Sequence, residues 1–136
     1  MFDAGYGMNG PRREPAGSAG EAAVLDAAVL AEQTFGDEVL ARSVLAMFLE
    51  QSANVLRVVR DTQDPKARAD AAHLLKGSSR AIGAARVSTA AQQVEDLPAD
   101  ASQSEVLSAV AALHASVAEA RAAIAAQIDG NASHGL

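Results

Sequence analysis

Apolar residues recur at alternating spacings of three and four along successive stretches of this chain. That period fits α-helices with one buried stripe and not β-strands. The longest such stretch carries Leu40, Val44, Leu45, Phe48, Leu49, Val55, Leu56 and Val59. A second, towards the C-terminus, carries Val106, Val110, Leu113, Val117, Ala120, Ile124 and Ile128. Between them Val87, Ala90, Ala91, Val94 and Leu97 repeat the spacing. Composition agrees. Apolar residues make up 49% of the chain but aromatics only 3%, with no Trp, so a core must be built from Ala, Val, Leu and Ile. Closely packed helices suit that set, whereas a sandwich or barrel calls for β-branched and aromatic strands.

Start and stop signals divide the stripes into elements. Asp26 caps a short helix over residues 27–35, with Val29, Leu30 and Phe35 as its apolar contacts, and Gly36 breaks it. Asp37 caps a longer helix to about residue 61. Asp64-Pro65 joins an N-cap to a proline at the first helical position and opens a third helix, expected to run to Gly83. A fourth stops at Pro98, and Ser102 with Glu105 forms an S-x-x-E capping box at the head of a fifth. The reading is all-α: an up-and-down four-helix bundle with a short additional N-terminal helix, over residues 23–128. Residues 1–22, rich in Gly and Pro, read as a disordered arm, and 129–136 as a frayed tail.

The net charge of −6 disfavours binding to nucleic acid. Without Cys there are no disulfides, thiol nucleophiles or Cys-ligated metals. No run reaches the roughly 20 apolar residues of a membrane span, and the N-terminus lacks the apolar core of a secretory signal, so a soluble cytoplasmic protein is expected. Yet residues 57–86 hold Arg57, Arg60, Lys66, Arg68, Lys76, Arg80 and Arg86 against only Asp61, Asp64 and Asp70. A basic segment in an acidic chain suggests a face meant for an anion or an acidic partner.

His73 lies in that segment. At about 100° per residue, Lys66, Ala69, His73, Lys76, Gly77 and Arg80 share one stripe of the third helix. Ala71, Leu74, Leu75, Ser78, Ile82 and Ala85 fall roughly opposite and are expected to pack inward. His73 then faces solvent among three cations. A mid-helix Gly costs about 1 kcal/mol relative to Ala, and clearance for an approaching macromolecule explains it at Gly77. Lys76 can neutralise charge on a group attached to the imidazole, with Arg80 as a second cation. Such a histidine suits transfer of an anionic group, phosphoryl above all. Asp70, about 60° round the helix, is a candidate to accept from the protonated ring nitrogen. Gln51 and Phe48 would flank His73 if their helix neighbours the third, with core packing the role expected of Phe48. His114 reads as a boundary residue of the last helix and His134 as solvated; neither makes a metal spacing with His73.

The string AHLLKGSSRAIGA resembles the histidine-containing phosphotransfer (HPt) domain, whose signature is H-x-x-K-G followed by a Gly six residues after the first. His73, Lys76, Gly77 and Gly83 fill all four positions. The stretch LDAAVLAEQTFGDEVLARSVLAMFLEQ also looks like that family's opening, and the resemblance covers about residues 24–127. It implies a monomeric bundle that relays phosphoryl groups between response-regulator receiver domains in a multistep phosphorelay, served by a hybrid or sensor histidine kinase. His73 would be the phosphoacceptor, Lys76 its charge partner, Gly77 the clearance position and Gly83 structural. No cofactor is implied in this chain; the receiver domain would bring Mg²⁺. No nucleotide loop follows a strand, so a phosphocarrier without ATP-dependent kinase activity is expected, not an enzyme. One alternative is a helical adaptor that binds a receiver or kinase without transfer, against which the intact His–Lys–Gly set argues. Another is the dimerisation domain of a sensor kinase. That domain usually presents H-E-x-x-x-P, whereas Leu74 and Leu75 follow His73 here and no Pro does.

Overall fold

A computed structural model describes residues 23–134, so the arm expected over 1–22 lies outside the described residues. Among these, five helices follow one another: α1 Ala27–Gln33, α2 Glu38–Asp61, α3 Pro65–Ala81, α4 Ala85–Glu95 and α5 Gln103–His134. The fold is all-α. Four of the five starts are fixed by side chains that satisfy first-turn amides. Asp26 Oδ1 accepts from the Ala28 amide at 3.0 Å and Asp37 Oδ1 from that of Val39 at 2.9 Å. Asp64 accepts from the Lys66 amide at 3.1 Å, with Pro65 in the first turn. Ser102 and Glu105 close a reciprocal capping box: the Ser102 amide donates to the Glu105 carboxylate at 2.8 Å, and the Glu105 amide to Ser102 Oγ at 3.1 Å. Those bonds hold the Glu105 carboxyl below the usual range. The helical backbone of α5 runs on to His134, into the segment expected to fray.

Two helices end in the same six-residue motif, with different residues at its critical position. After α3, the Ala84 amide donates to the Ser79 carbonyl at 2.8 Å and Gly83 turns left-handed at φ +74°. After α1, the Gly36 amide donates to the Ala31 carbonyl at 2.9 Å, but the first left-handed residue is Phe35, at φ 57°. The sequence placed Phe35 inside the first helix as a core contact. It instead lies beyond the cap residue Thr34 and is 90% exposed. Thr34 takes the inward position, its hydroxyl bonded to the Leu30 carbonyl at 2.8 Å.

α2, α3, α4 and α5 form a ring in which each packs on its neighbours in sequence and α5 closes onto α2, while α1 lies against α2 and α3. The core is aliphatic: Leu45, Val55 and Val59 from α2, Leu75 from α3, Val87 and Val94 from α4, Leu113, Val117 and Ile124 from α5. Phe48 is its one aromatic residue. Arg121 of α5 donates to the Leu49 carbonyl and to the buried Ser52 hydroxyl, the latter at 2.9 Å, so a polar tie joins α5 to α2. Gln103–Asp129 is long and apolar enough to cross a membrane by length and composition alone, contrary to the expectation that no stretch qualifies. Leu113, Val117, Ala120 and Ile124 on that stretch are core residues of the bundle.

Gly83 is also where the N-terminal segment docks. The Asp26 amide donates to the Gly83 carbonyl at 3.0 Å, and a Cβ on Gly83 would meet Asp26 backbone oxygen at 2.7 Å. Gly83→Ala should therefore lose more than about 1 kcal/mol, strained in conformation and blocked by backbone. Phe35→Gly should gain about 1 kcal/mol, because it relieves a left-handed non-glycine and gives up almost no buried surface. Denaturant titration of both variants checks the opposite signs.

Candidate functional site

α3 presents its chemistry on the side turned towards α4. The buried row of α3 is Arg68, Ala72, Leu75 and Ser79, continued by Ile82. This corrects the sequence assignment, which turned Leu74 and Ser78 inward. Leu74 is 54% exposed and Ser78 half-buried. The small side chains of Ala72 and Ser79 let the neighbouring helices approach on that face. Ser79 is no obstacle to burial, since its hydroxyl donates to the Lys76 carbonyl at 2.9 Å.

His73 stays in solvent, its side chain 67% exposed. Its Nδ1 lies 2.9 Å from Oε2 of Glu95, in the last turn of α4. Lys76 is not the exposed cation its place in the sequence suggests. The rotation of α3 turns it towards α4, where its side chain is only 11% exposed and Nζ sits 2.7 Å from Glu95 Oε1. Nζ also donates to Gln92 Oε1 at 2.8 Å, and the Gln92 amide in turn donates to Asp96 at 2.7 Å. One carboxylate thus bridges the imidazole and the ammonium. The ammonium beside it, then the hydrogen bond to His73, hold Glu95 below the ordinary carboxylate range. An ionised carboxylate can only accept, so Nδ1 carries the proton when the ring is neutral. The lone pair is then on Nε2, for which no hydrogen bond is found among the described residues.

Glu95 displaces the acceptor named from the sequence. Asp70 does not serve His73; its carboxylate takes the Lys66 ammonium at 2.9 Å, one turn back on the same helix. Gly77, one turn after His73, has open space where a Cβ would stand, with nothing within 4 Å, so packing does not require a glycine there. Arg80 is exposed in the last turn of α3, two turns beyond His73, outside the Glu95 cluster. α2 and α3 are neighbours, but Phe48 is buried in the core. Gln51 lines a shallow groove with Met47, Ser78 and Ala81 and makes no bond to His73. His114 is exposed on α5, and the side chain of His134 lies outside the described residues. Among the described residues no three His, Cys, Asp or Glu side chains gather to hold a metal.

Sequence reasoning missed Glu95 and Gln92, because a wheel drawn on one helix says nothing of its neighbour. One signal was present: a glutamate in the last turn of a helix opposes the macrodipole and calls for a compensating cation.

A family model of the Hpt domain matches residues 43–123, more than half of the chain. No curated protein and no solved structure matches the chain.

A carboxyl held below its unfolded range adds stability above that range and loses it as the pH falls. The wild type should lose stability on acidification through and below the ordinary glutamate value of 4.5. Glu95→Gln lacks that contribution, so its stability should vary less over the same interval, from a lower starting point at neutral pH. Denaturant midpoints across the acid range check this, and an equally steep acid limb in Glu95→Gln would assign the loss to other carboxylates.

Proposed function

The chain belongs to the Hpt domain family, and from that premise we propose that it passes phosphoryl groups between receiver domains with His73 as the carrier. Histidine phosphotransfer in phosphorelays is the general business of the family. The observation that carries the assignment to His73 is the pairing of an exposed ring with a Glu95 carboxylate at 2.9 Å on Nδ1. That contact fixes the tautomer and the ring's orientation and leaves Nε2 as the nucleophile.

In the accepting direction Nε2 attacks the phosphorus of an aspartyl phosphate on the partner. The new N–P bond forms as the P–O bond to the aspartyl carboxyl breaks, and the carboxylate departs with the electron pair. The ring keeps its Nδ1 proton and becomes an imidazolium, whose positive charge faces Glu95. Donation to a second aspartate is the same step in reverse. Phosphoryl transfer asks the protein mainly for position and charge compensation. Lys76 contributes through Glu95 in the resting state, and its ammonium stands one turn from the imidazole. Gly77 supplies clearance on the same exposed surface. The chain's own part is that of a carrier, with the acyl phosphate supplied by the partner.

Incubation with a phosphorylated receiver domain should give an acid-labile, base-stable label on the wild type and none on folded His73→Gln. Labelling of that variant to the wild-type level would overturn the assignment. Gly77 separates transfer from folding. Gly77→Ala should raise stability by up to about 1 kcal/mol, because nothing lies within 4 Å of its Cβ. Gly77→Gln and Gly77→Arg should also fold, and should accept phosphoryl progressively more slowly as the side chain lengthens. Melts and transfer rates on the same preparations check this, and wild-type transfer by folded Gly77→Arg would remove the clearance role.

A further inference from the structure

Phe35 is unfavourable twice over within the bundle. A bulky residue with a left-handed backbone is an outlier, and Phe35 holds φ at 57°. Its ring lies almost wholly in solvent, so burial offsets none of that strain. Gly or Asn would end α1 in the same motif without either penalty. Strain that packing does not explain points to function. Phe35 also has apolar company. Val39 and Leu40, both exposed, follow in the first turn of α2. Leu40, Val44, Met47, Gln51 and Asn54 then fall within about 40° of one line along α2, and Met47 is 67% exposed. Met47 and Gln51 line the groove whose other wall is Ser78 and Ala81 of α3, beside Gly77.

The two flanks of His73 differ in charge. Towards α4 stand Glu95 and Asp96 against Lys76 alone. Towards α2, only Glu50 is ionic among the residues that line the groove. Arg80 is exposed on α3 at the end of that groove nearer the α1–α2 corner. An anionic aspartyl phosphate is disfavoured on the α4 side and favoured on the side of Arg80. The reach also fits one partner. Leu40 to Gln51 is about 16 Å of helix, and Ser78 back to His73 about 8 Å. A standard interface covers about 800 Å² on each partner, broad enough to span both.

We propose that Phe35 is a docking anchor for the receiver domain, at the far end of the α2 row from the histidine, and that it helps set which receiver fits. The inference rests on the transfer reading of His73. The receiver lies over α2, takes the Phe35 ring into an apolar recess and faces Arg80 with a carboxylate, while its aspartyl phosphate meets Nε2. Phe, Met and Arg are residue types enriched at such interfaces. Phe35 touches no reacting atom and acts on affinity alone.

Phe35→Asn keeps a residue that tolerates the left-handed backbone and removes the ring. It should melt at or above the wild-type temperature. Single-turnover transfer is then followed against the concentration of a phosphorylated receiver domain that labels wild-type His73. The half-saturating concentration should rise about tenfold or more in Phe35→Asn, with the rate at saturation unchanged. Arg80→Gln should raise it as well and weaken its dependence on salt. Leu107→Asn removes another exposed apolar side chain, on α5, and should leave it unchanged. Wild-type half-saturation in Phe35→Asn would overturn the proposal. So would an equal loss in Leu107→Asn, which would mean general stickiness, or a slower saturated rate at unchanged half-saturation, which would put Phe35 in the chemistry. Self-association of the free chain that Phe35→Asn abolishes would give the corner to a second copy instead. A set of receivers none of which labels wild-type His73 overturns the transfer reading itself, a failure distinct from the loss of the anchor.

Discussion

α3 and α4 are joined by a connection of three residues, Ile82 to Ala84, and its middle residue holds φ at +74°. A left-handed glycine turns the chain back on itself within that length, so α4 lies antiparallel along α3. Ile82 and Ala84 on either side are fully buried, which ties the turn to the core. The return path brings Gln92 and Glu95 level with Lys76 and His73, although 22 residues separate Glu95 from His73. The N-terminal segment locks the same turn from outside, through the Asp26 amide on the Gly83 carbonyl and the Arg86 amide on the Ala23 carbonyl. The histidine's environment is in this sense built at a turn ten residues away from it.

The helices were legible in the sequence because their signals are local. Asp26, Asp37, Asp64 and Ser102 cap within three residues of themselves, and the structure places each where the pattern predicts. What failed was rotation. The helical wheel put Leu74 and Ser78 on the inward side and Lys76 on the surface. The buried face of α3 instead follows Ala72 and Ser79, whose size matters more than their polarity. Phe35 failed for a related reason. A large apolar residue beside a helix end reads as core, but the chain reverses at that residue and its side chain is turned outward. The acceptor for the histidine was beyond reach of a single-helix wheel, since Asp70 was the carboxylate near it in sequence and only tertiary packing brings Glu95, 22 residues away, to the ring.

The arrangement around the histidine divides two tasks between two helices. On the proposed reading, α3 supplies the groups that an incoming partner would meet, His73 and the bare backbone at Gly77. α4 supplies the groups that hold them, Glu95 on Nδ1 and Gln92 on the Lys76 ammonium. A rigid second helix behind a reactive side chain restricts its rotamers without covering it. The charge cluster is also self-contained. The macrodipole disfavours Glu95 at the end of α4, Lys76 offsets it, and the imidazole shares the same carboxylate.

The aliphatic core bears on how such a protein can be watched. The chain has no Trp and a single Tyr, Tyr6, which lies outside the described residues. Among the described residues Phe48 is the one aromatic ring in the core. Its folding is therefore silent in tryptophan emission and is read from helical circular dichroism. The same silence is useful in a mixture. Any tryptophan signal that changes when a partner is added belongs to the partner, so docking can be followed from the other side without labelling either protein.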